Sequence, residues 1–374
     1  LETKVENQEE LLIAVKITKK LSELGVLARF IPPVRRGPLV SIYQFQPVGN
    51  TKVSQMESRS EDISVALGCQ GDVLVKRMPG ESSVSIFVPN EARQLVGFRD
   101  VVSNLWRLVN DKGSTYKCPL ALGVDVMGNF VIEDLALLPH LLIAGSTNGG
   151  KSTLMRALLA SIIYCLNDST TQLVLSDTKG VEFIPFIGAP HLMFEPATSV
   201  YSTLERMDWL IDETESRLKR FAKVVVTNID AFNKLRLGEP MPRIILVIDE
   251  LADLMLFKGS KKGESKIAEE KLQEIVQKSR ATGIHVIAAT QRPSVNVVAG
   301  TIKANFPARL TFRLPSDADS RTVIGTSGAE HLLSQGDCLF ASPNKAGLTR
   351  LHAPWVSQED IKGAVEAAIL KGGS

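Results

Sequence analysis

Residues 145 to 152 read Gly145-Ser146-Thr147-Asn148-Gly149-Gly150-Lys151-Ser152. The spacing Gly-x-x-x-x-Gly-Lys-Ser is that of a P-loop, a turn that wraps phosphate. Small residues let backbone N–H groups approach phosphate oxygens, and a helix starting at the end of the loop adds the positive end of its dipole. Asn148 tolerates the left-handed backbone that such a turn requires. Lys151 can reach the outer phosphates of a nucleotide, and the Ser152 hydroxyl can ligate Mg²⁺. Gly145, Ser146, Thr147, Asn148, Gly149, Gly150, Lys151, Ser152 and Thr153 are therefore the expected contacts of bound ATP.

A second pattern is Ile244-Ile245-Leu246-Val247-Ile248-Asp249-Glu250, an apolar run ending in two acids. In a Walker B strand the first acid, Asp249, shares Mg²⁺ with Ser152, and the second, Glu250, orients and polarises the attacking water. A buried strand ending in acids can also be structural, with its carboxylates set against a helix N-terminus; behind a P-loop the catalytic reading is preferred. Acids on adjacent positions favour the RecA-like, ring-forming branch of P-loop proteins over small GTPases, which position water with a Gln from a switch loop. A third run, Val286-Ile287-Ala288-Ala289-Thr290-Gln291-Arg292-Pro293, ends in Thr-Gln. Ligands of open parallel sheets sit at the carboxyl ends of strands. Gln291 is thus either a sensor of the γ-phosphate or a polar residue capping a strand.

These residues need a sheet to carry them. Apolar, β-branched runs at 141–144, 172–176, 243–248 and 284–290 alternate with helical patterns, beginning with a helix over 153–163. That alternation predicts an α/β fold whose mostly parallel sheet is covered on both faces. The Lys- and Glu-rich residues 258–278 read as a loop followed by a solvated helix. Ahead of this region, residues 1–110 read as a small α/β domain. Leu11, Leu12, Val15, Ile17, Leu21 and Leu24 recur at helical spacing before Gly25, and Pro32-Pro33 and Gly37-Pro38 punctuate the segment after that helix. A strand over 39–45, a helix over 54–67 closed by Gly68, and strands over 72–77 and 83–88 around Pro79-Gly80 complete it, with 90–110 helical in part. The division is thus 1–110 and 111–374.

Composition limits the function classes. The 374 residues carry 43 Lys and Arg against 41 Asp and Glu, a net charge of +2, which excludes a uniformly basic nucleic-acid binder. Any nucleic-acid contact must come from a local basic surface. Hydrophobic residues at 44% exclude a mostly disordered chain. Cys69, Cys118, Cys165 and Cys338 form no CxxC pair, so neither a disulfide framework nor a zinc site is expected, and a reducing cytoplasm suits them. No apolar run reaches the length of a membrane span, and no signal peptide is expected. The start at Leu1 and the end at Gly372-Gly373-Ser374 suggest a piece of something longer.

An ordered set of segments resembles the FtsK/SpoIIIE family of DNA translocase motors: Lys278-Ser279-Arg280-Ala281-Thr282-Gly283-Ile284-His285, Ala289-Thr290-Gln291-Arg292-Pro293-Ser294-Val295, Ile302-Lys303-Ala304-Asn305, Asp319-Ser320-Arg321-Thr322, Gly328-Ala329-Glu330-His331-Leu332-Leu333 and Gly336-Asp337. The likeness covers most of 111–356. Gly37-Pro38-Leu39-Val40 and Ile86-Phe87-Val88-Pro89-Asn90 resemble, more weakly, the family's smaller α domain. The resemblance implies a RecA-like P-loop motor behind a small α/β domain, a homo-hexameric ring around double-stranded DNA, and ATP hydrolysis driving translocation. It implies Lys151, Asp249, Glu250 and Gln291 as the catalytic set. It adds Arg280 as an arginine finger reaching the neighbouring subunit's ATP, a role that sequence alone would not select. The family's pore loops imply Arg292, Lys303 and Arg321 as DNA-phosphate contacts, the kind that bind without sequence preference. Arg309 and Arg313, flanking a strand-like run, read as structural.

Departures from the family pattern qualify this. Thr178 stands where a Pro is common, which bears on the loop around Asp177, Lys179 and Glu182. Asp317 stands where a basic residue is frequent, so one pore contact is expected to be missing. Neither the DNA-reading winged helix nor a membrane-spanning region is found in the sequence, so sequence-guided loading is not expected of this chain, and any inner-membrane tether belongs to parts outside it. The alternative readings are a related ATPase of a conjugative element or of type VII protein secretion, or a scaffold that binds ATP without hydrolysing it.

Overall fold

A computed structural model of the chain describes residues 8–37, 40–69, 73–77, 81–91, 95–257 and 264–372. The chain divides into two compact units, Leu1–Leu95 with Val124–Asn129, and Val96–Gly123 with Phe130–Ser374. In the smaller unit, helix α1 (Gln8–Glu23) is followed by strands β1 (Ala28–Arg36) and β2 (Val40–Pro47), helices α2 (Val53–Glu57) and α3 (Ser60–Leu67), and strands β3 (Leu74–Arg77) and β4 (Val84–Pro89). The strands form an antiparallel sheet in the order β1-β2-β4-β3. Ala14, Ile17 and Leu21, one stripe of α1, bury against Tyr43, Phe45, Val84 and Ile86. Two expectations change here. The single helix over 54–67 is two, broken at Ser58-Arg59, which lets both Met56 and Ile63 reach the core. Pro32-Pro33 lies inside β1 and not between elements. It is tolerated because β1 is an edge strand, and the register shifts between Ile31 and Arg35. Residue 39 and the Pro79-Gly80 turn lie outside the described residues.

The larger unit begins with α4 (Phe98–Asn110), which the sequence pattern alone places with the smaller domain. Then come β5 (Pro119–Asp125), β6 (Phe130–Asp134), β7 (His140–Ala144), α5 (Lys151–Cys165), β8 (Thr171–Ser176), α6 (Val200–Lys223), α7 (Ile229–Lys234), β9 (Arg243–Ile248), α8 (Leu251–Met255), α9 (Glu264–Lys278) and β10 (Ile284–Thr290). The chain ends with α10 (Gly300–Asn305), β11 (Ala308–Phe312), α11 (Asp317–Ile324), β12 (Asp337–Ala341), β13 (Leu348–His352) and α12 (Gln358–Gly372). Among the described residues the strands form one sheet in the order β6-β5-β13-β12-β11-β7-β10-β9-β8. From β11 to β8 every neighbour is parallel; β12 and β13 add antiparallel pairs.

The four apolar runs picked out in the sequence are β7, β8, β9 and β10. Every residue of β7, β9 and β10 is buried, as a strand covered on both faces must be. One face packs Ile244, Leu246 and Ile248 of β9 with α6, α8 and α9. On α5, α4 and α12 both pack. Helix α9 is not simply solvated, as its composition suggested. Ala268, Leu272, Ile275 and Val276 form a stripe at helical spacing that enters the core, while the Lys and Glu residues take the other side. Among the described residues no helix is long and apolar enough to cross a membrane.

The strand order matters for chemistry. From β7 the chain crosses to β8 at the sheet edge, returns through β9 and β10, then passes over β7 to β11. β10 therefore lies between β7 and β9. The residues that follow these three strands emerge side by side at their carboxyl ends.

Candidate active site

The loop after β7 has the geometry its sequence called for. Asn148 takes a left-handed φ of 64° and Gly150 a φ of 119°. Gly150 is the N-cap of α5 and supplies no side-chain cap, so the first N–H groups of this helix remain donors for an anion. The glycines are needed for space as well. A Cβ on Gly145 would lie 2.8 Å from Phe312 Cβ, and one on Gly150 would lie 2.9 Å from Phe312 Cε1. Phe312, at the end of β11, is fully buried and shapes the loop from below. The loop is pinned at three points: Gly145 N–H donates to Thr290 O at 3.2 Å, Ser146 N–H to Arg313 O at 3.0 Å, and Gly336 N–H to Gly149 O at 3.0 Å.

Lys151 is 3% exposed and Asp249 2%. The Lys151 ammonium donates to Asp249 Oδ1 at 2.8 Å and to the Asp249 carbonyl at 2.7 Å. A buried charge requires such compensation. Ser152 and Thr153, the next residues of α5, are half-buried. One carboxylate, one hydroxyl and an adjoining phosphate-binding turn are a donor set suited to Mg²⁺, a hard ion that completes its shell with phosphate and water. The residues present thus fit a Mg²⁺–nucleotide.

Glu250 caps α8 by accepting from Ala252 N–H at 3.3 Å. Its carboxylate also accepts from Thr290 Oγ1 at 2.7 Å, and from Gln291 N–H at 3.2 Å on one oxygen and 3.1 Å on the other. Gln291 Oε1 in turn accepts from Thr147 Oγ1 at 3.1 Å. The P-loop, the Walker B acids and the end of β10 are therefore one hydrogen-bonded cluster. Nearby, Asp177 organises the turn after β8 by accepting from the N–H groups of Gly180, Val181, Glu182 and Phe183. Thr178, where the sequence departs from the common pattern, donates to Asp253 Oδ2 at 2.5 Å and links this turn to α8.

Arg280 lies elsewhere. It is exposed, four residues before β10 begins, whereas Gln291 follows the end of β10. It lines a cavity of about 840 Å³ with Lys117, Asn228, Asp230, Arg243 and His285. Arg292, Lys303 and Arg321 sit on three separate segments: the loop after β10, helix α10 and helix α11. Arg292 is exposed; Arg321 is exposed and ion-paired to Asp317 at 2.9 Å, one helical turn away. Arg309 is a different kind of residue. Its guanidinium donates to the carbonyls of Lys303, Phe306 and Val323, closing the ends of α10 and α11. Sequence reasoning assigns no role to Thr290, Phe312 or Gly336, although Thr290 and Gly336 stand in segments that carry the family resemblance. The Thr-Gln at the end of an apolar strand was the available signal for Thr290.

The chain matches the FtsK/SpoIIIE family over residues 110–295 and the FtsK alpha domain over residues 2–90. It is 37% identical to the DNA translocase FtsK of Pseudomonas syringae pv. tomato, over 94% of this chain and 46% of that protein. To the DNA translocase FtsK of Clostridium acetobutylicum it is 36% identical, over 97% of this chain and 46% of that protein. It thus spans about half the length of the curated relatives it matches. Among solved structures, the pCW3 conjugation coupling protein TcpA, a monomer form with ATPγS, superposes with a TM-score of 0.68 at 22% identity, covering 96% of this chain and 99% of that one. The cytoplasmic domain of the Thermomonospora curvata type VII secretion ATPase EccC superposes with a TM-score of 0.58 at 22% identity, covering 67% of this chain and 31% of that one. These two likenesses establish the fold, an α/β P-loop architecture with a mostly parallel sheet.

Proposed function

We propose that this chain, which belongs to the FtsK/SpoIIIE family, hydrolyses ATP and uses the hydrolysis to move double-stranded DNA through a hexameric ring of its own copies. On this reading the larger unit is the motor domain and the smaller an accessory domain. The observation that carries the reading is the single cluster that joins Lys151, Asp249, Glu250 and Gln291 at adjacent strand ends.

Each residue has a task that stems from its surroundings. The Lys151–Asp249 pair keeps two buried charges compensated, and both partners have a better ligand when nucleotide enters. Lys151 turns to the outer phosphates, and Asp249 with Ser152 would hold Mg²⁺. That ion supplies charge neutralisation on the phosphates when bound. Glu250, next to Asp249 in sequence, orients the attacking water and accepts its proton. Gln291, bonded to the P-loop through Thr147, senses whether the γ-phosphate is present. Arg280 stands at the opposite end of β10 from its own P-loop, which supports a role at a neighbour's nucleotide, where its guanidinium meets charge building in the transition state. Arg292, Lys303 and Arg321 contact DNA phosphates. The identity to proteins named DNA translocases favours DNA over protein as the cargo.

ATP turnover measured with and without duplex DNA at low salt tests the proposal. DNA is expected to raise turnover, and Glu250→Gln to keep ATP binding while lowering turnover by about 10²- to 10⁴-fold. Turnover indifferent to duplex DNA would sink the DNA-pump reading and favour a protein-moving relative. Undiminished hydrolysis in Glu250→Gln would remove Glu250 as the base.

A further inference from the structure

The three residues at the end of β10 face three different parts of the proposed machine. Gln291 bonds the P-loop through Thr147. Arg292 is exposed. Before these two stands Thr290, the last residue of β10, completely buried. Its hydroxyl has one proton, and that proton goes to Glu250 Oε1 at 2.7 Å. Its oxygen accepts from the backbone N–H of Arg292 at 3.1 Å. Gln291 N–H adds a bond to the same carboxylate. Glu250 Oε1 is thus held by β10 and, through Ala252 N–H, by α8, which fixes the direction in which the carboxylate presents Oε2. The shortest of these bonds comes from the hydroxyl that also accepts from the backbone of Arg292.

We propose that Thr290 is a positioning residue that restrains Glu250 and couples its release to DNA contact at Arg292. The inference rests on the reading of Glu250 as the base and of Arg292 as a DNA contact. When Arg292 is drawn to a phosphate, its N–H leaves Thr290 Oγ1. The threonine hydroxyl, no longer held from that side, rotates, and its bond to Glu250 weakens. The carboxylate, then held only by the backbone N–H groups of Ala252 and Gln291, can turn toward a water. Without DNA the relay holds, and ATP bound at the P-loop is turned over slowly. The path runs through two hydrogen bonds and needs no large movement of the sheet.

The test is Thr290→Val, which keeps the shape of the side chain and removes the hydroxyl, with Thr290→Ser as the conservative partner. Turnover is measured at saturating ATP with and without saturating duplex DNA. Thr290→Val is expected to raise DNA-free turnover by about three- to tenfold, as the loss of one hydrogen bond would. Its KM for ATP should stay unchanged, and the ratio of stimulated to basal rate should shrink by the same factor. Thr290→Ser should restore the wild-type ratio. A Thr290→Val protein with a lower basal rate, or with an unchanged ratio beside a DNA-stimulated wild type, overturns this inference alone. A wild type that DNA does not stimulate overturns it together with the DNA-pump reading. If Thr290→Val does not fold, a Thr290→Ser ratio that departs from wild type overturns the role of the hydroxyl, and a retained ratio supports it.

Discussion

At the carboxyl ends of β7, β9 and β10, the buried charged groups are held by side chains as well as by the backbone. Lys151 pairs with Asp249, and Glu250 is held by Thr290 and Gln291. At the amino ends of the same strands, buried polar groups are held largely by the backbone. Arg217, 2% exposed, donates to the carbonyls of Pro242 and Thr282 at 2.7 and 2.9 Å, with Glu213 as its counter-charge. His140 bonds Val276 O and Val286 N, and His285 bonds Pro139 O. Backbone carbonyls cannot leave, so the amino end is a fixed base. Side-chain partners can be exchanged for phosphate, metal or water, so the carboxyl end can work. The two ends of the sheet thus differ in how far the partners of their buried groups can be exchanged.

Arg280 is the largest test of that difference, because it is a proposed catalytic group at the amino end. The seven residues of β10 lie between it and its own site, and at about 3.3 Å per residue they span roughly 20 Å, well beyond the reach of an arginine side chain. Arg280→Ala is therefore expected to lower turnover by about 10³-fold or more, through a neighbouring copy's nucleotide. Mixing Arg280→Ala subunits with Lys151→Ala subunits should recover part of the activity, since some interfaces then pair an intact finger with an intact P-loop. No recovery at any mixing ratio would place the finger elsewhere and remove catalysis from the amino end.

The histidines sharpen the comparison at a smaller scale. Burial pushes His140 down to about 3, helped by the neighbouring His285. Burial also takes His285 down to about 4, with Arg243 and Arg280 adding to the effect. Both imidazoles are neutral in the folded chain. Unfolded, each binds a proton below about pH 6.5, so the unfolded state gains protons that the folded state refuses. Stability contributed by keeping them neutral is complete above about pH 6.5 and falls as the pH drops toward 4. The slope is up to about 1.4 kcal/mol per pH unit for each histidine. His285→Gln, which retains a donor for the Pro139 carbonyl, should flatten this acid limb in denaturant midpoints measured from pH 7 to pH 5. An unchanged limb would show that acid sensitivity arises outside the base of the sheet.

The carboxyl end is far more legible in the sequence than the amino end. Strands β7, β9 and β10 each carry an apolar run, 141–144, 244–248 and 286–289, and the residues that could do chemistry follow directly behind it, so pattern and chemistry coincide at Gly145, Asp249 and Gln291. Thr290 reads only as part of a strand end, because its role depends on Glu250 approaching from another strand. Phe312 and Gly336 shape the P-loop from β11 and from the turn before β12, contacts between residues far apart in sequence. The same applies to Arg217, whose partners at Pro242 and Thr282 follow it by many residues. In α9 the stripe Ala268, Leu272, Ile275 and Val276 is obscured by the Lys and Glu residues between its members. Strands β12 and β13 include half-buried residues and lack the long apolar runs that mark the parallel strands.

The smallest effect is expected at Asp317, and it asks whether exchange of side-chain partners extends from ATP to DNA. Arg321 Nε is 2.9 Å from Asp317 Oδ2 on α11, and both are exposed. To bind a phosphate, Arg321 must give up this carboxylate, just as Lys151 must give up Asp249 at the nucleotide. The exposed exchange takes place in water and under salt screening, so its consequences are modest. Asp317→Ala should tighten duplex DNA binding by a few-fold at low salt, with the gain fading as salt rises. Arg321→Ala should weaken binding and reduce the slope of log affinity against log salt by about 0.9, the share of one phosphate contact. The double variant should behave as Arg321→Ala does, because Asp317 acts only through its partner. If Asp317→Ala tightens binding equally with Arg321 absent, the aspartate repels DNA directly and the pair is not an exchangeable one. An Arg321→Ala slope equal to that of wild type would take α11 off the DNA path and leave the exchange of partners a property of the nucleotide site alone.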